Sequence, residues 1–320
     1  MPEEQLKRDV EALAAPEGRL PGSPGHAAAR EHLLRRMETL GLAPYAGGQD
    51  YCLPYEANGS ALTNVLGELP GADPAKAPLL IAAHYDTCGP QPGADDNAAA
   101  IAIALAAAER LREAPLDRSV VFAFFDAEEP PYYLTHAMGS IHFYYHQQRG
   151  PVHCALVMDL MGHDVPVGGL EDVVFVTGME SDPGLASVME GVDRPAGLRI
   201  VPTLNRYIGD QSDYHVFRVN EQPYLFLSCG RWPHYHQATD TPEKLSYRKM
   251  AAAVPYLTAL ARRAAATPLE GPFEGYDSTP VELVFLREAI GPMAASFGLR
   301  LERRDDIDAL ARVLMAQFGL

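Results

Sequence analysis

The sequence predicts an α/β protein, a three-layer sandwich in which helices flank a mostly parallel central sheet. Three observations predict it. The runs LLIAAHYD (79–86), SVVFAFFDAEE (119–129) and HCALVMDLMG (153–162) are nearly continuous in apolar residues, the pattern of strands covered on both faces. Segments with helical periodicity alternate with these runs. The chain of 320 residues is long enough to bury a sizeable core.

The elements follow in order. Residues 24–41 read as an amphipathic helix that stops at Gly41. The apolar run at 79–86 is the first core strand, and the alanine-rich stretch 97–114 is the helix behind it. The run at 119–129 is the second strand. A Pro130-Pro131 loop and a helix from about residue 139 precede the third strand at 153–162. VVFVTG (173–178) and YLFLSCG (224–230) are two more strands. Thr241-Pro242 predicts a helix start that runs to about residue 263, since threonine caps well and proline suits the first helical position. The stretch 267–280 is rich in proline, glycine and acid and reads as a linker. Residues 281–320 carry helical periodicity in two pieces. The expected division is therefore a main domain at 1–266 and an acidic linker with a C-terminal helical extension at 267–320. That extension reads as packing back on the main domain, with a helical cap or an oligomerisation element as the alternatives.

Charge and composition exclude some functions. With 42 acidic against 26 basic residues, the net charge is −16, which opposes nucleic-acid binding. The N-terminus MPEEQLKRDV is charged and lacks the apolar core of a secretion signal. The longest apolar stretch, 101–111, is too short to span a bilayer. The expectation is a cytoplasmic protein with no membrane partner. Cys52, Cys88, Cys154 and Cys229 show no CxxC spacing, so they read as free thiols rather than a disulfide framework or a thiolate zinc site.

The chemistry gathers at strand ends. His84, Glu128, Glu129 and Asp159 lie at or just past the ends of three apolar runs, where open α/β sheets bind ligands. Imidazole and carboxylate without thiolate suit hydrolytic zinc, with manganese or cobalt as alternatives. Asp86, two residues beyond His84, is placed to accept the second ring N–H and fix the tautomer. In GADDN, Asp95 or Asp96 can bridge two ions, or simply cap the following helix. Adjacent glutamates on a strand face opposite ways, but at a turning strand end both reach one site, one as ligand and the other as base. His234 or His236 can close the site from a late loop. Asp210 and Asp213 are further acidic candidates, equally readable as a solvated helix start.

Taken together, HYDT, GADDN, DAEE, MDLMG, SDYHVF and YHQATDT resemble, in order and context, the co-catalytic zinc aminopeptidases. That family also includes glutamate carboxypeptidase II, the transferrin receptor and the glutaminyl cyclases. The resemblance covers roughly residues 10–265, and GRLPGSPG (18–25) and TNVLGELPG (63–71) also look like its N-terminal segments. It implies a phosphorylase/hydrolase-like sandwich holding two Zn2+ ions. His84 and Asp159 then resemble the terminal ligands of one ion, Glu129 and His236 those of the other, and Asp96 the bridging carboxylate. Glu128 resembles the general base, and Tyr235 a residue that hydrogen-bonds the substrate carbonyl. His236, not His234, has the family's spacing to Asp240-Thr241. The implied activity is release of N-terminal amino acids from peptides or amino-acid amides with a free N-terminus. The alternatives are a glutaminyl cyclase-type acyltransferase with one zinc and a non-catalytic binding protein of transferrin-receptor type.

The chain departs from the family pattern in places. Ala98-Ala99-Ala100 stands where Ala-Ser-Gly is common, and the loop after the glutamates is long. Tyr214 stands where histidine is usual, with His215 displaced by one, which puts a supporting role for that histidine in doubt. Residues 130–140, 205–215 and Arg231-Trp232 are the expected lining of the substrate pocket, with Trp232 equally readable as a core residue.

Overall fold

The computed structural model describes residues 2–318. Among the described residues, nine strands form one sheet: β1 (Ala43–Pro44), β2 (Cys52–Ala57), β3 (Ser60–Leu69), β4 (Leu79–His84), β5 (Val120–Phe125), β6 (Cys154–Met158), β7 (Val173–Thr177), β8 (Arg199–Thr203) and β9 (Tyr224–Ser228). The spatial order is β1-β3-β5-β4-β6-β9-β7-β8, and β2 also pairs with β3. The four central strands, β5, β4, β6 and β9, are parallel, while β3 and β7 join them antiparallel. The helices are α1 (Pro2–Leu13), α2 (Pro24–Leu40), α3 (Ala100–Leu111), α4 (Gly139–His146), α5 (Pro183–Glu190), α6 (Asn205–Ile208), α7 (His215–Val219), α8 (Tyr247–Ala266), α9 (Thr279–Ser296) and α10 (Arg304–Phe318).

The central strands show why the apolar runs are continuous. Every residue of β4, β5, β6 and β9 is buried. Alternate side chains point to opposite faces. Leu79, Ile81, Val120, Phe122, Cys154 and Leu156 face the layer that contains α1, α2, α3 and α8. Leu80, Ala82, Val121, Ala123, Ala155 and Val157 face the layer with Phe143 of α4 and Phe217 of α7. A sandwich of two helical layers leaves no polar face, so no alternation is written into the strands.

Local signals set the element ends. Ser23 accepts from the His26 backbone N–H at 3.1 Å, Pro24 opens α2, and Gly41 closes it at φ 67°. The helix expected at 97–114 begins later, at Ala100. Residues Ala94–Ala99 form a wide π-type turn in which Asp96 and Asn97 have non-helical backbone angles, because the amides there are held by a distant carboxylate described below. Thr241-Pro242 opens only a single 3₁₀ turn, Pro242–Lys244. Leu245 is extended, and α8 starts at Tyr247.

The C-terminal segment packs against the rest. Leu283, Phe285, Leu286 and Ile290 of α9 and Ile307, Leu310 and Leu314 of α10 belong to the main hydrophobic core. No helix of the described residues is long and apolar enough to cross a membrane.

Candidate metal centre

The parallel register aligns the carboxyl ends of β4, β5 and β6 along one rim. His84 pairs across to Phe125, and Ala82 to Val157. His84 is the last residue of β4, Glu128 and Glu129 follow β5, and Asp159 follows β6. Ala127, at φ 56°, turns the chain directly after β5. Such a left-handed turn costs a non-glycine residue roughly 1–2 kcal/mol. It lets two consecutive glutamates, each 4% exposed, reach the same rim.

The six residues come together around Asp96. Its Oδ1 lies 3.2 Å from His84 Nε2, and its Oδ2 lies 3.1 Å from His236 Nε2. His84 Nε2 is also 3.5 Å from Asp159 Oδ1 and 4.0 Å from Glu128 Oε2. His236 Nε2 is 3.1 Å from Glu129 Oε1. The cluster is thus two half-sites, His84 with Asp159 and His236 with Glu129, that share one carboxylate.

Asp86 holds the glutamate pair in place. Its two oxygens accept the backbone N–H groups of Glu128 and Glu129 at 3.0 and 3.1 Å. Its Oδ1 also lies 3.4 Å from His84 Nδ1. This carboxylate therefore touches both the imidazole and the turn that carries both acids.

The other candidates separate clearly. Asp95 points away from the histidine pair and accepts the Gly162 N–H and His163 Nδ1, each at 2.6 Å. Gly162 has no room for a side chain, since a Cβ would fall 2.7 Å from that of Ala99. His234 pairs with Thr239 Oγ1 at 2.8 Å and joins no metal-ligating group among the described residues. Asp210 is taken up by His215 and Arg218. Tyr214 stacks on Tyr224 and bonds Asn205 and Gly209. Asp213 is fully buried, with burial raising its carboxyl to about 7, and makes no hydrogen bond in the described structure. Tyr235 stacks on His236 at 3.8 Å between ring centroids.

Two organising residues were missed. Arg19 is fully buried and donates to the carbonyls of Tyr85 (2.7 Å), Leu13 (3.0 Å), Pro92 (2.7 Å), Gly93 (3.0 Å) and Asp96 (3.1 Å). It ties the N-terminal segment to the turn that carries Asp96. Asp240 accepts the amides of Asp95 and Asp96 at 2.9 and 3.1 Å, which is why those residues leave the helical path. GRLPGSPG and YHQATDT were the signals, but partners that are backbone atoms of other segments leave no mark in sequence. Replacing Arg19 with methionine strands five carbonyls and removes the buried cation that faces Asp96, Asp240 and Asp86. The expected cost is about 3–5 kcal/mol, read as a lower denaturation midpoint together with lower metal content.

The electrostatics of the cluster call for cations. Burial raises Glu128 well above its usual range, and it raises Glu129 to about 8, with Asp96 adding to the effect. Burial alone would lower His84, but Asp159, Asp86 and Asp96 outweigh it and hold the imidazole well above its ordinary value. Burial would likewise raise Asp96, yet His236 and His84 hold it below the carboxylate range. Meanwhile both ring nitrogens of His84 and Asp159 Oδ1 are buried with no aligned hydrogen bond, although they lie 3.2–3.5 Å from one another's and neighbouring carboxylate atoms. Buried polar atoms are rarely left so. Divalent ions with oxygen and nitrogen ligands would satisfy these atoms and relieve the carboxylate crowding. The donor set fits them.

Beside Asp159 and Tyr235 lies an apolar cavity of about 270 Å³. Phe175, Val201, Ile208, Phe226 and Leu286 line it, with Ile307, Leu310, Ala311 and Leu314 of α10, and Gln211 and Arg231 among its polar residues. Of the expected lining, parts of 205–215 and Arg231 are present. No residue of 130–140 lines it; Tyr132 of that loop bonds Ser60 at the start of β3 and Tyr133 donates to the Asp210 carbonyl. Trp232 instead stacks on His163 at 4.6 Å and packs against the core.

The fold and site define an α/β sandwich with histidines and carboxylates gathered at its strand ends, a donor set suited to divalent metal ions. The chain belongs to peptidase family M28, whose model matches residues 64–261. It is 25% identical over 212 residues to the Escherichia coli K12 protein YfbL, covering 57% of this chain and 65% of that one. It is 28% identical over 159 residues to a vacuolar membrane protease of the yeast Vanderwaltozyma polyspora, covering 48% of this chain and 16% of that protein. The chain thus spans less than two thirds of the length of these curated relatives. Similar folds include LapB of Legionella pneumophila, with a TM-score of 0.66 at 19% identity over 82% of this chain and 71% of that one. A glutaminyl cyclase of Fimbriiglobus ruber has a TM-score of 0.62 at 20% identity, covering 82% and 95%. A leucine aminopeptidase precursor of Bacteroides thetaiotaomicron has 0.63 at 17% identity, covering 81% and 96%.

Proposed function

We propose that the chain is a two-zinc aminopeptidase that removes apolar residues from the free N-terminus of peptides or amino-acid amides. The observation that carries this reading is the Asp96 carboxylate, whose two oxygens face different histidines at 3.2 and 3.1 Å. His84, Asp159 and Asp96 would hold one ion; His236, Glu129 and Asp96 would hold the other. Zinc bound there supplies an acidified water and a Lewis acid for the scissile carbonyl.

The chain's own groups do the rest. Glu128 takes the proton of the attacking water and returns it to the leaving amine. Its burial beside Glu129 raises its basicity toward that task. Tyr235, which lines the cavity, would donate to the oxygen that gains negative charge. The acidic rim pairs with the substrate ammonium, and the 270 Å³ cavity takes its side chain.

The test is a screen of amino-acid amides, their N-acetylated forms and N-terminal glutamine peptides, each with added zinc. Cleavage of the free-amine series alone is expected. Pyroglutamate formation without cleavage would instead identify a cyclase, and no turnover of any substrate a binding protein. Within the series, Ala311→Trp fills part of the cavity from α10. It is expected to lower kcat/KM for leucine and phenylalanine amides roughly tenfold or more relative to alanine amide, in line with the discrimination apolar pockets give.

A further inference from the structure

We infer that Cys88 is a fourth side-chain donor, through its sulfur, to the cation that Asp96, Glu129 and His236 would hold. The inference rests on the metal-centre reading above and adds a ligand to it. Cys88 lies four residues past His84, on the segment that leaves β4. Its Sγ, a carboxylate oxygen of Glu129 and a ring nitrogen of His236 all lie within 4.8 Å of one another. Gln91 Nε2 donates to Sγ at 2.7 Å, which orients the sulfur as an acceptor. The sulfur therefore stands beside the Glu129–His236 half of the centre.

The spacing suits bonding. Zinc–sulfur bonds of ~2.3 Å and zinc–nitrogen bonds of ~2.0–2.1 Å place tetrahedral donor atoms about 3.5 Å apart. The three donor atoms, all within 4.8 Å of one another, would need to close by at most about 1.3 Å to reach that spacing. On binding, the thiol proton leaves to water and the sulfur lone pair forms the bond, with no change of oxidation state. A thiolate on one side only makes the two positions unequal. The Glu129–His236 position becomes the softer one, selective for zinc or cadmium over manganese.

The experiment uses the metal-free full-length chain loaded with Co2+. The wild type is expected to show a near-ultraviolet sulfur-to-cobalt charge-transfer band together with visible d–d bands. Cys88→Ser is expected to lose the first and keep the second. A wild type that takes up cobalt with a spectrum unchanged by Cys88→Ser overturns the thiolate ligand alone. A wild type that takes up no cobalt or zinc overturns the metal-centre reading and this inference with it. Alkylation with iodoacetamide, mapped by peptide mass, is the second readout. Zinc is expected to slow modification of Cys88 at least tenfold and leave the half-buried Cys52 unaffected. Equal Cys88 rates with and without zinc contradict the proposal.

Discussion

Glu128→Gln is expected to reduce kcat by roughly 10²–10⁴-fold, the span that loss of a general base produces, while metal content stays at the wild-type level. The substitution keeps the shape of the side chain. The backbone N–H of residue 128 still donates to Asp86, so the turn after β5 stays in place. The carboxylate lies 4.0 Å from His84 Nε2, farther than Asp96 or Asp159, which suits a group that handles a proton rather than an ion. Steady-state turnover of leucine amide and metal analysis of the same sample check the prediction. Activity within threefold of wild type would move the base to another residue. Loss of metal along with activity would make Glu128 a ligand.

Asp96→Asn is expected to have a different signature. It leaves a neutral amide between two histidines and removes the one group common to both half-sites. Metal affinity should fall at least about a hundredfold and turnover should drop to background. Asp95→Asn, one residue earlier, supplies the contrast. Asp95 accepts from Gly162 and His163, with its side chain fully buried. Its replacement should cost about 1–3 kcal/mol of stability, the range for an unmade buried hydrogen bond. Chelator competition and denaturant unfolding of both variants separate the two roles. If Asp95→Asn loses metal as steeply as Asp96→Asn, the division of labour between neighbours is wrong.

The elements nearest the centre were the most legible in sequence. β4, β5, β6 and β9 are buried on both faces, so each announces itself as an unbroken apolar run ending in polar residues. The β2–β3 hairpin was not read, although Asn58-Gly59, both at positive φ, is a turn signal between strands. β8 was missed because RIVPT contains a proline and is short. The late start of α3 was illegible for another reason. Local propensity in an alanine-rich segment favours helix from Asn97 on, but Asp240 draws the amides of Asp95 and Asp96 away from it. That competition is decided by a residue some 145 positions distant.

The site shows the same division. His84, Glu128, Glu129 and Asp159 stand at or just past strand ends and were legible there, whereas Asp96 and His236 come from a turn and a loop and were separated from Asp95 and His234 only by the family resemblance. Asp86 was found because it sits two positions from His84. Its larger role, gripping the amides of Glu128 and Glu129, depends on the parallel pairing of β4 with β5. The hydrogen bonds of the Arg19 guanidinium all go to backbone carbonyls, and its position in GRLPGSPG does not reveal them. The cavity wall supplied by α9 and α10 was unreadable, since periodicity shows that a helix has an apolar face but not what that face covers.

The central claim is that Asp96 stands between two ions. Crystals of the wild-type chain grown with zinc and measured at the zinc absorption edge test it most directly. Two anomalous peaks per chain are expected, one on each side of the Asp96 carboxylate, the first against His84 and Asp159 and the second against Glu129 and His236. A single peak, with one Asp96 oxygen left unbound to metal in every crystal grown with excess zinc, would contradict it.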